Sequence, residues 1–147
     1  MIIAIDSGVL LKAYFPDEDG HGEAQSLICD YAKGNIIFHA PTLITYEIIN
    51  ACLVASRMAR FPKTRAKELM NEMLGIEIVT EDIERLKERI FDISVKHSRS
   101  AYDAAYIAVA ESGNLPFITA DKKLFNSLKH HFAFVNWIED YPNALNR

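Results

Sequence analysis

Four carboxylates stand apart from the other acids of this sequence. The chain carries 20 Asp and Glu residues, most of them near other charges, in loops or at helix ends. Asp6 is the only charged residue before Lys12, and Glu47 the only one from Ala40 through Ser56. Asp103 is the only one from Ser100 through Ala110, and Asp121 closes an uncharged stretch that begins at Ser112. A charge in an apolar segment is costly to bury unless it is paired or bound to a metal. No Lys or Arg at helical spacing is expected to accompany Glu47 or Asp103 and explain them locally. Carboxylates drawn together repel and raise one another's pKa. A hard divalent cation such as Mg2+ or Mn2+, taking oxygen ligands, offsets that repulsion. No His-Glu-x-x-His run or Cys/His spacing points to zinc.

Each acid also has a plain local role. Asp6 fits an Asx-turn after a strand. Ser100-Ala101-Tyr102-Asp103 fits a capping box, with Asp103 bonding back to the cap backbone. Asp121 fits a helix N-cap. Glu47 is expected mid-helix among Leu43, Ile44, Ile48, Ile49 and Ala51, where no capping role is open. Its plain reading is a carboxylate on a narrow solvated stripe. Capping and ligand binding are compatible, because a cap residue can face a ligand at a helix N-terminus.

The elements that must position these acids alternate along the chain. The apolar run over residues 2–5 predicts a strand buried on both faces. The turn signal Asp6-Ser7-Gly8 follows, then helical character over 9–15, broken at Pro16 and Asp17-Glu18-Asp19-Gly20. A helix is predicted over 23–33 and a strand over 36–38. A long helix is predicted from near Pro41, which is tolerated in a first turn, to about 58. Further helices are predicted over 63–74, 80–95, 100–111 and 121–129. The helix over 80–95 carries Ile83, Leu86, Ile90 and Ile93 on one face. Strands are predicted over 76–79, 117–119 and 133–135. The alternation predicts an α/β fold with a mostly parallel sheet flanked by helices, forming a single domain over residues 1–147. Ligands of such sheets bind outside the carboxyl ends of the strands, where Asp6 and Asp121 fall.

Composition narrows the function classes. Half of the 147 residues are hydrophobic and 24% are charged, as in a globular protein. A chain of this length buries about 70% of its unfolded surface, so it needs no disulfide or metal staple. No apolar run reaches membrane-spanning length, and the first residues lack the basic start of a signal peptide. Cys29 and Cys52 stand alone, which predicts a reducing, cytoplasmic setting. A net charge of -4 argues against broad, charge-driven nucleic-acid binding. It leaves room for nucleic acid as a substrate where a cation or a local basic patch supplies the attraction.

The four acids and their surroundings resemble the motifs of PIN-domain ribonucleases, most closely the VapC toxins of prokaryotic toxin–antitoxin pairs. Ile3-Ala4-Ile5-Asp6-Ser7-Gly8-Val9-Leu10 is similar to the family's opening segment. Tyr46-Glu47-Ile48-Ile49-Asn50-Ala51 is similar to its second motif. Ser100-Ala101-Tyr102-Asp103-Ala104-Ala105-Tyr106-Ile107 is the closest match, and Ile118-Thr119-Ala120-Asp121-Lys122 resembles the fourth motif. The specificity lies in the ordered set rather than in any one motif. The resemblance implies a PIN-like α/β/α sandwich and an endoribonuclease dependent on Mg2+ or Mn2+. It further implies that Asp6, Glu47, Asp103 and Asp121 are the acids around the metal. Asn50 matches a recurrent polar neighbour and Thr119 a recurrent hydroxyl. One departure is Gly8, where the family usually has Ser or Asn; Ser7 is the candidate to compensate. The resemblance also implies a small cognate antitoxin and a homodimer. The apolar helices near 43–54 and 61–74 are the candidate contact surfaces.

In the implied reaction, RNA phosphodiester hydrolysis is assisted by a cation that lowers the pKa of a water and neutralises phosphate charge. Asp6 and Asp103 are the first choice as direct ligands. Glu47 and Asp121 are ligands, supports or proton acceptors. Lys12, Arg99, Lys122 and Lys123 lie beside the motifs, where they can meet phosphate. Tyr102 and Tyr106 have the chemistry to stack on bases, but their apolar helix predicts that they pack. His130 and His131 are expected at the surface. The alternative from another class is a PIN-like RNA- or protein-binding module that does not cut. A haloacid-dehalogenase-like phosphatase fits poorly, since Gly8 replaces the second Asp of Asp-x-Asp. A receiver domain fits poorly too, because Asp6 has no acidic neighbour.

Overall fold

The computed structural model describes residues 1–146. The apolar run after Met1 forms strand β1 (Ile2–Ile5), and the chain turns at Asp6 into helix α1 (Ser7–Tyr14). Next come α2 (His21–Ala32), β2 (Ile37–Pro41), α3 (Ile44–Arg57) and α4 (Lys63–Leu74). Strand β3 (Ile78–Glu81) leads through a short 3-10 turn (Ile83–Leu86) into α5 (Lys87–His97). Helix α6 (Ala101–Gly113), β4 (Phe117–Thr119), α7 (Lys122–Leu128) and β5 (Val135–Trp137) follow. Two 3-10 turns, Ile138–Asp140 and Asn143–Asn146, end the described chain.

The five strands form one sheet in the order β3-β2-β1-β4-β5, and every pairing is parallel. With the helices around it this is the expected α/β/α architecture. The central strands are buried on both faces. Ile3, Ala4 and Ile5 of β1 and all of β4 are at most 1% exposed, which explains why neither strand alternates apolar with polar residues, Thr119 being the one polar member. Helix α6 is buried from Ala104 through Ala110. A helix covered all round shows no apolar stripe, and its alanines let it lie close to the sheet.

The strand order reverses between β1 and β4: from β1 the chain crosses to β2 on one side, and later to β4 on the other. A crevice opens at the carboxyl ends of the strands at such a switch point. Asp6 follows β1 there, and Thr119, Ala120 and Asp121 lie at the end of β4.

Several predicted boundaries move. Pro41 does not open a helix but ends β2, in register with Glu81. The hydrogen bond at that edge comes from Thr42, whose N–H donates to the Glu81 carbonyl, so the missing donor of Pro41 does no harm. Helix α3 therefore starts at Ile44, which puts Glu47 in its first turn rather than mid-helix. The helix predicted over 80–95 loses Thr80 and Glu81 to β3, where they pair with Ala40 and Pro41. Asp82 then caps the 3-10 turn by accepting from the Glu84 N–H at 3.0 Å. The strand predicted over 133–135 lies at Val135–Trp137, in register with Phe117, Ile118 and Thr119. Among the described residues no helix is long and apolar enough to cross a membrane.

Candidate active site

Asp6 is the N-cap of α1, with extended backbone angles and its side chain turned back over the helix start. Its Oδ1 accepts from the Val9 N–H at 3.1 Å, and its Oδ2 accepts from the Thr119 hydroxyl. The Ala120 N–H lies 3.3 and 3.2 Å from the two oxygens. Asp6 is 7% exposed and is the only charged side chain buried among the described residues. Burial raises its pKa to about 6; bonds from Thr119, Ala120 and Val9 pull the other way, while nearby Glu47 adds to the rise.

Glu47 projects from the first turn of α3 and is partly buried. The Tyr106 hydroxyl, from α6, donates to its Oε1. Burial raises the Glu47 pKa against that bond, and the charge of Asp103 raises it further. Tyr106 itself is 3% exposed and stacks near Phe117 at 6.1 Å. Burial raises its pKa, followed by the charge of Glu47 and the hydrogen bond to it. Ser7, buried at the start of α1, opposes that rise.

Asp103 lies in the first turn of α6. Ser100 caps the helix, its Oγ accepting from the Asp103 N–H at 3.1 Å. The other half of the expected capping box is not made by the carboxylate, which turns to Arg99. The guanidinium donates to Oδ2 from Nη2 at 2.8 Å and from Nε at 3.2 Å. Arg99, four residues before Asp103 and just outside the helix, overturns the expectation that no Lys or Arg at helical spacing accompanies that acid.

Asp121 caps α7, its Oδ1 accepting from the Lys123 N–H at 2.8 Å and the Leu124 N–H at 3.0 Å. Its own N–H donates to Thr119 Oγ1 at 3.0 Å. Thr119, fully buried, therefore joins the first acid to the fourth. Asp6, Glu47 and Asp103 form a chain of mutual charge effects, and Asp121 is tied to it through Thr119. The acids do not converge into a ready-made cage: no three His, Cys, Asp or Glu side chains among the described residues form a metal-holding group.

The remaining candidates divide. Asn50 is exposed on α3, one turn beyond Glu47. Lys12 is turned into the protein, donating to the Asp19 carbonyl at 2.5 Å, with its side chain 12% exposed. Lys122 and Lys123 are exposed, with the Lys122 ammonium 4.6 Å from the centre of the Trp137 ring. Tyr102 does not pack as expected but is 69% exposed. His130 and His131 are exposed, as expected. A Cβ at Gly8 would lie 3.1 Å from the Ala120 Cβ and 3.2 Å from Asp6 Oδ1. The absent side chain thus lets α1 approach the end of β4, and Thr119 and two backbone amides serve Asp6 instead. Two contacts of the acids were not foreseen, the bond from Tyr106 to Glu47 and the pair of Arg99 with Asp103. The second is a helical spacing in the sequence, four residues before Asp103, whereas the first joins two helices 59 positions apart and leaves no local signal.

The model of the PIN domain matches residues 3–140. VapC ribonuclease Mb0985 of Mycobacterium bovis is 28% identical over 123 residues, covering 84% of this chain and 88% of the relative. Ribonuclease VapC3 of Pyrobaculum aerophilum is 22% identical over 126 residues, covering 84% and 92%. Among solved structures, PAE2754 from Pyrobaculum aerophilum superposes over the full length of both chains, with a TM-score of 0.70 and 20% identity. A toxin–antitoxin complex from Klebsiella pneumoniae matches 91% of this chain and 95% of its own, with a TM-score of 0.54 and 17% identity.

Proposed function

The chain belongs to the PIN-domain family, and from that premise we propose that it is a Mg2+- or Mn2+-dependent endoribonuclease, the toxin of a VapBC-type pair. The observation that supports this reading is the linkage of the four acids: Thr119 bonds to both Asp6 and Asp121, while Glu47 acts by charge on Asp6 and Asp103 on Glu47. The names of the relatives, VapC ribonucleases, support the reaction class.

The donor set suits a hard divalent cation. All four groups are carboxylates, and Asp6 is held in a buried position that raises the cost of its charge. Mg2+ is usually held by one or two carboxylates, with waters and substrate phosphate completing its shell. A site without a cage of three protein ligands meets that preference. Asp6 and Asp103 are the proposed direct ligands. Glu47 and Asp121 complete the negative field or hold a proton during the reaction. When bound, the cation supplies Lewis acidity and neutralises charge on the phosphate.

The chain's own groups do the rest. Thr119 and the Ala120 and Val9 amides fix the direction of Asp6. Tyr106 donates to Glu47, whose pKa burial raises, which suits it to accept a proton. Arg99, Lys122 and Lys123 offer positive charge at the mouth of the site in a chain of net charge -4. That charge draws RNA phosphates to a site whose floor repels them.

The same reading gives the chain an antitoxin partner, and the similarity to a toxin–antitoxin complex supports it. Ile49, Leu53 and Val54 are exposed on α3, and Met58 at its C-terminal cap. With Ala66 and Met70 of α4, Ile49 and Leu53 line an apolar groove suited to an antitoxin segment or a second copy of the chain. A basic antitoxin side chain reaching the four acids would block the site. The test is cleavage of labelled RNA by the purified chain with Mn2+, with Mg2+ and with EDTA, beside Asp103→Asn. The expected result is cleavage that needs metal and is lost in the variant. RNA binding without cleavage under any of these conditions returns the non-cutting module.

A further inference from the structure

On the reading that the four acids form a metal-binding nuclease site, we propose that Arg99 is that site's resident cation. It competes with the divalent ion for Asp103 and, once displaced, takes a phosphate of the RNA. Among the described residues, Arg99 is the only Lys or Arg side chain ion-paired with any of the four acids. Both of its contacts fall on one oxygen, Oδ2, and leave Oδ1 free of the guanidinium. The pair is partly open to solvent, with side-chain exposures of 21% and 28%, so it can part without stranding a buried charge.

The pair is not needed to build the turn that carries it. Ser98, in the left-handed region at φ 51°, ends α5 with its N–H on the Ser94 carbonyl. The Arg99 N–H donates to the same Ser94 carbonyl at 3.2 Å. Ser100 starts α6 through its own hydroxyl. The backbone is thus fixed on both sides, and the guanidinium hangs from it on a long, rotatable side chain.

The pairing has a consequence for charge. Glu47 acts by charge on Asp6, and Asp103 on Glu47, while Arg99 is paired at the Asp103 end. A divalent ion at Asp103 repels the guanidinium and outcompetes it by charge. The released guanidinium remains tethered at the edge of the site. Its planar fork matches phosphate oxygens better than an ammonium does.

Mn2+ titration of wild type, Arg99→Ala and Arg99→Lys, read by calorimetry without RNA, tests the competition. Arg99→Ala is expected to bind Mn2+ about two- to fivefold more tightly, the range set by a partly exposed ion pair. Arg99→Lys, which keeps the charge without the fork, falls between. At saturating Mn2+, Arg99→Ala is expected to raise KM for RNA about tenfold, as loss of a charged hydrogen bond would, with kcat changing less. A folded Arg99→Ala that binds Mn2+ no more tightly than wild type overturns the competition. An unchanged KM overturns the phosphate role. If Arg99→Ala does not fold, Arg99→Gln carries the same test, because it removes the charge and keeps a donor for Asp103. Failure of the wild type itself to bind Mn2+ overturns the underlying site reading instead, which keeps the two failures apart.

Discussion

Replacing Asp6 by Asn removes the one buried charge of the described chain, and the stability change should depend on pH in a defined way. Asp6 has a folded pKa of about 6 against an ordinary value of 3.8. Its protonated form therefore favours the folded state. The stability it contributes is fully present below pH 3.8 and is lost as pH rises through 6. For this shift, linkage predicts a loss of about 2 kcal/mol between pH 4.5 and 7.5. Asn does not titrate, so the difference in unfolding free energy between wild type and Asp6→Asn should fall by about that amount over the same interval. Hydrogen bonds rearranged around Asn add a constant that drops out of the slope. His97, whose pKa is lowered by burial and then by the neighbouring charges of His131, Lys96 and Arg89, acts in the opposite direction. It is present in both proteins and cancels. The coupling to Glu47 has the same sign as the main effect. The assay is urea unfolding of both proteins at the two pH values in EDTA. Adding Mn2+ at pH 7.5 should restore stability to wild type and not to the variant. A difference that stays flat, or rises with pH, would refute the argument that burial strains this carboxylate.

Three further outcomes follow from the same contacts. Thr119→Val removes the hydroxyl that donates to Asp6 and accepts from Asp121, and urea unfolding should show a loss of about 2 kcal/mol. Asp121→Asn keeps a good helix cap and removes the charge, so cleavage should fall with stability nearly unchanged. Asp121→Ala should lose about 1 kcal/mol besides, and equal stability of the two variants would contradict the capping geometry. Tyr106→Phe frees Glu47 from its hydroxyl partner and should shift the acidic limb of the cleavage pH profile upward, since that bond lowers the Glu47 pKa. An unmoved profile would show that Glu47 does not titrate in the reaction.

The site was legible where a residue breaks the pattern around it. Asp6, Glu47, Asp103 and Asp121 each interrupt an uncharged stretch; Asp6 and Asp121 follow β1 and β4 and cap the next helices, while Glu47 and Asp103 lie in the first turns of α3 and α6. The strands of the centre were legible for the same reason: a segment buried on both faces has no polar alternation. Legibility failed at the margins, where pairing partners decide. Thr80 and Glu81 extend a helical pattern in sequence, but β2 offers them a ladder and takes them into β3. Pro41 reads as a helix start, yet it ends β2, where the Thr42 N–H supplies the bond to the Glu81 carbonyl. Tyr106 was hidden as a partner of Glu47 because it reaches that acid over 59 positions of sequence. Arg99 stood in view four residues before Asp103 and was passed over because it precedes the helix.

The central claim is that these acids hold a divalent ion and that RNA is cut there. Its most direct test is Mn2+ binding followed by electron paramagnetic resonance, with RNA cleavage read in the same samples, for wild type and Asp6→Asn at pH 7.5. The account predicts that wild type binds Mn2+ and cleaves in proportion to the bound ion, while the folded variant loses both together. Cleavage that persists in Asp6→Asn without bound Mn2+ would contradict it.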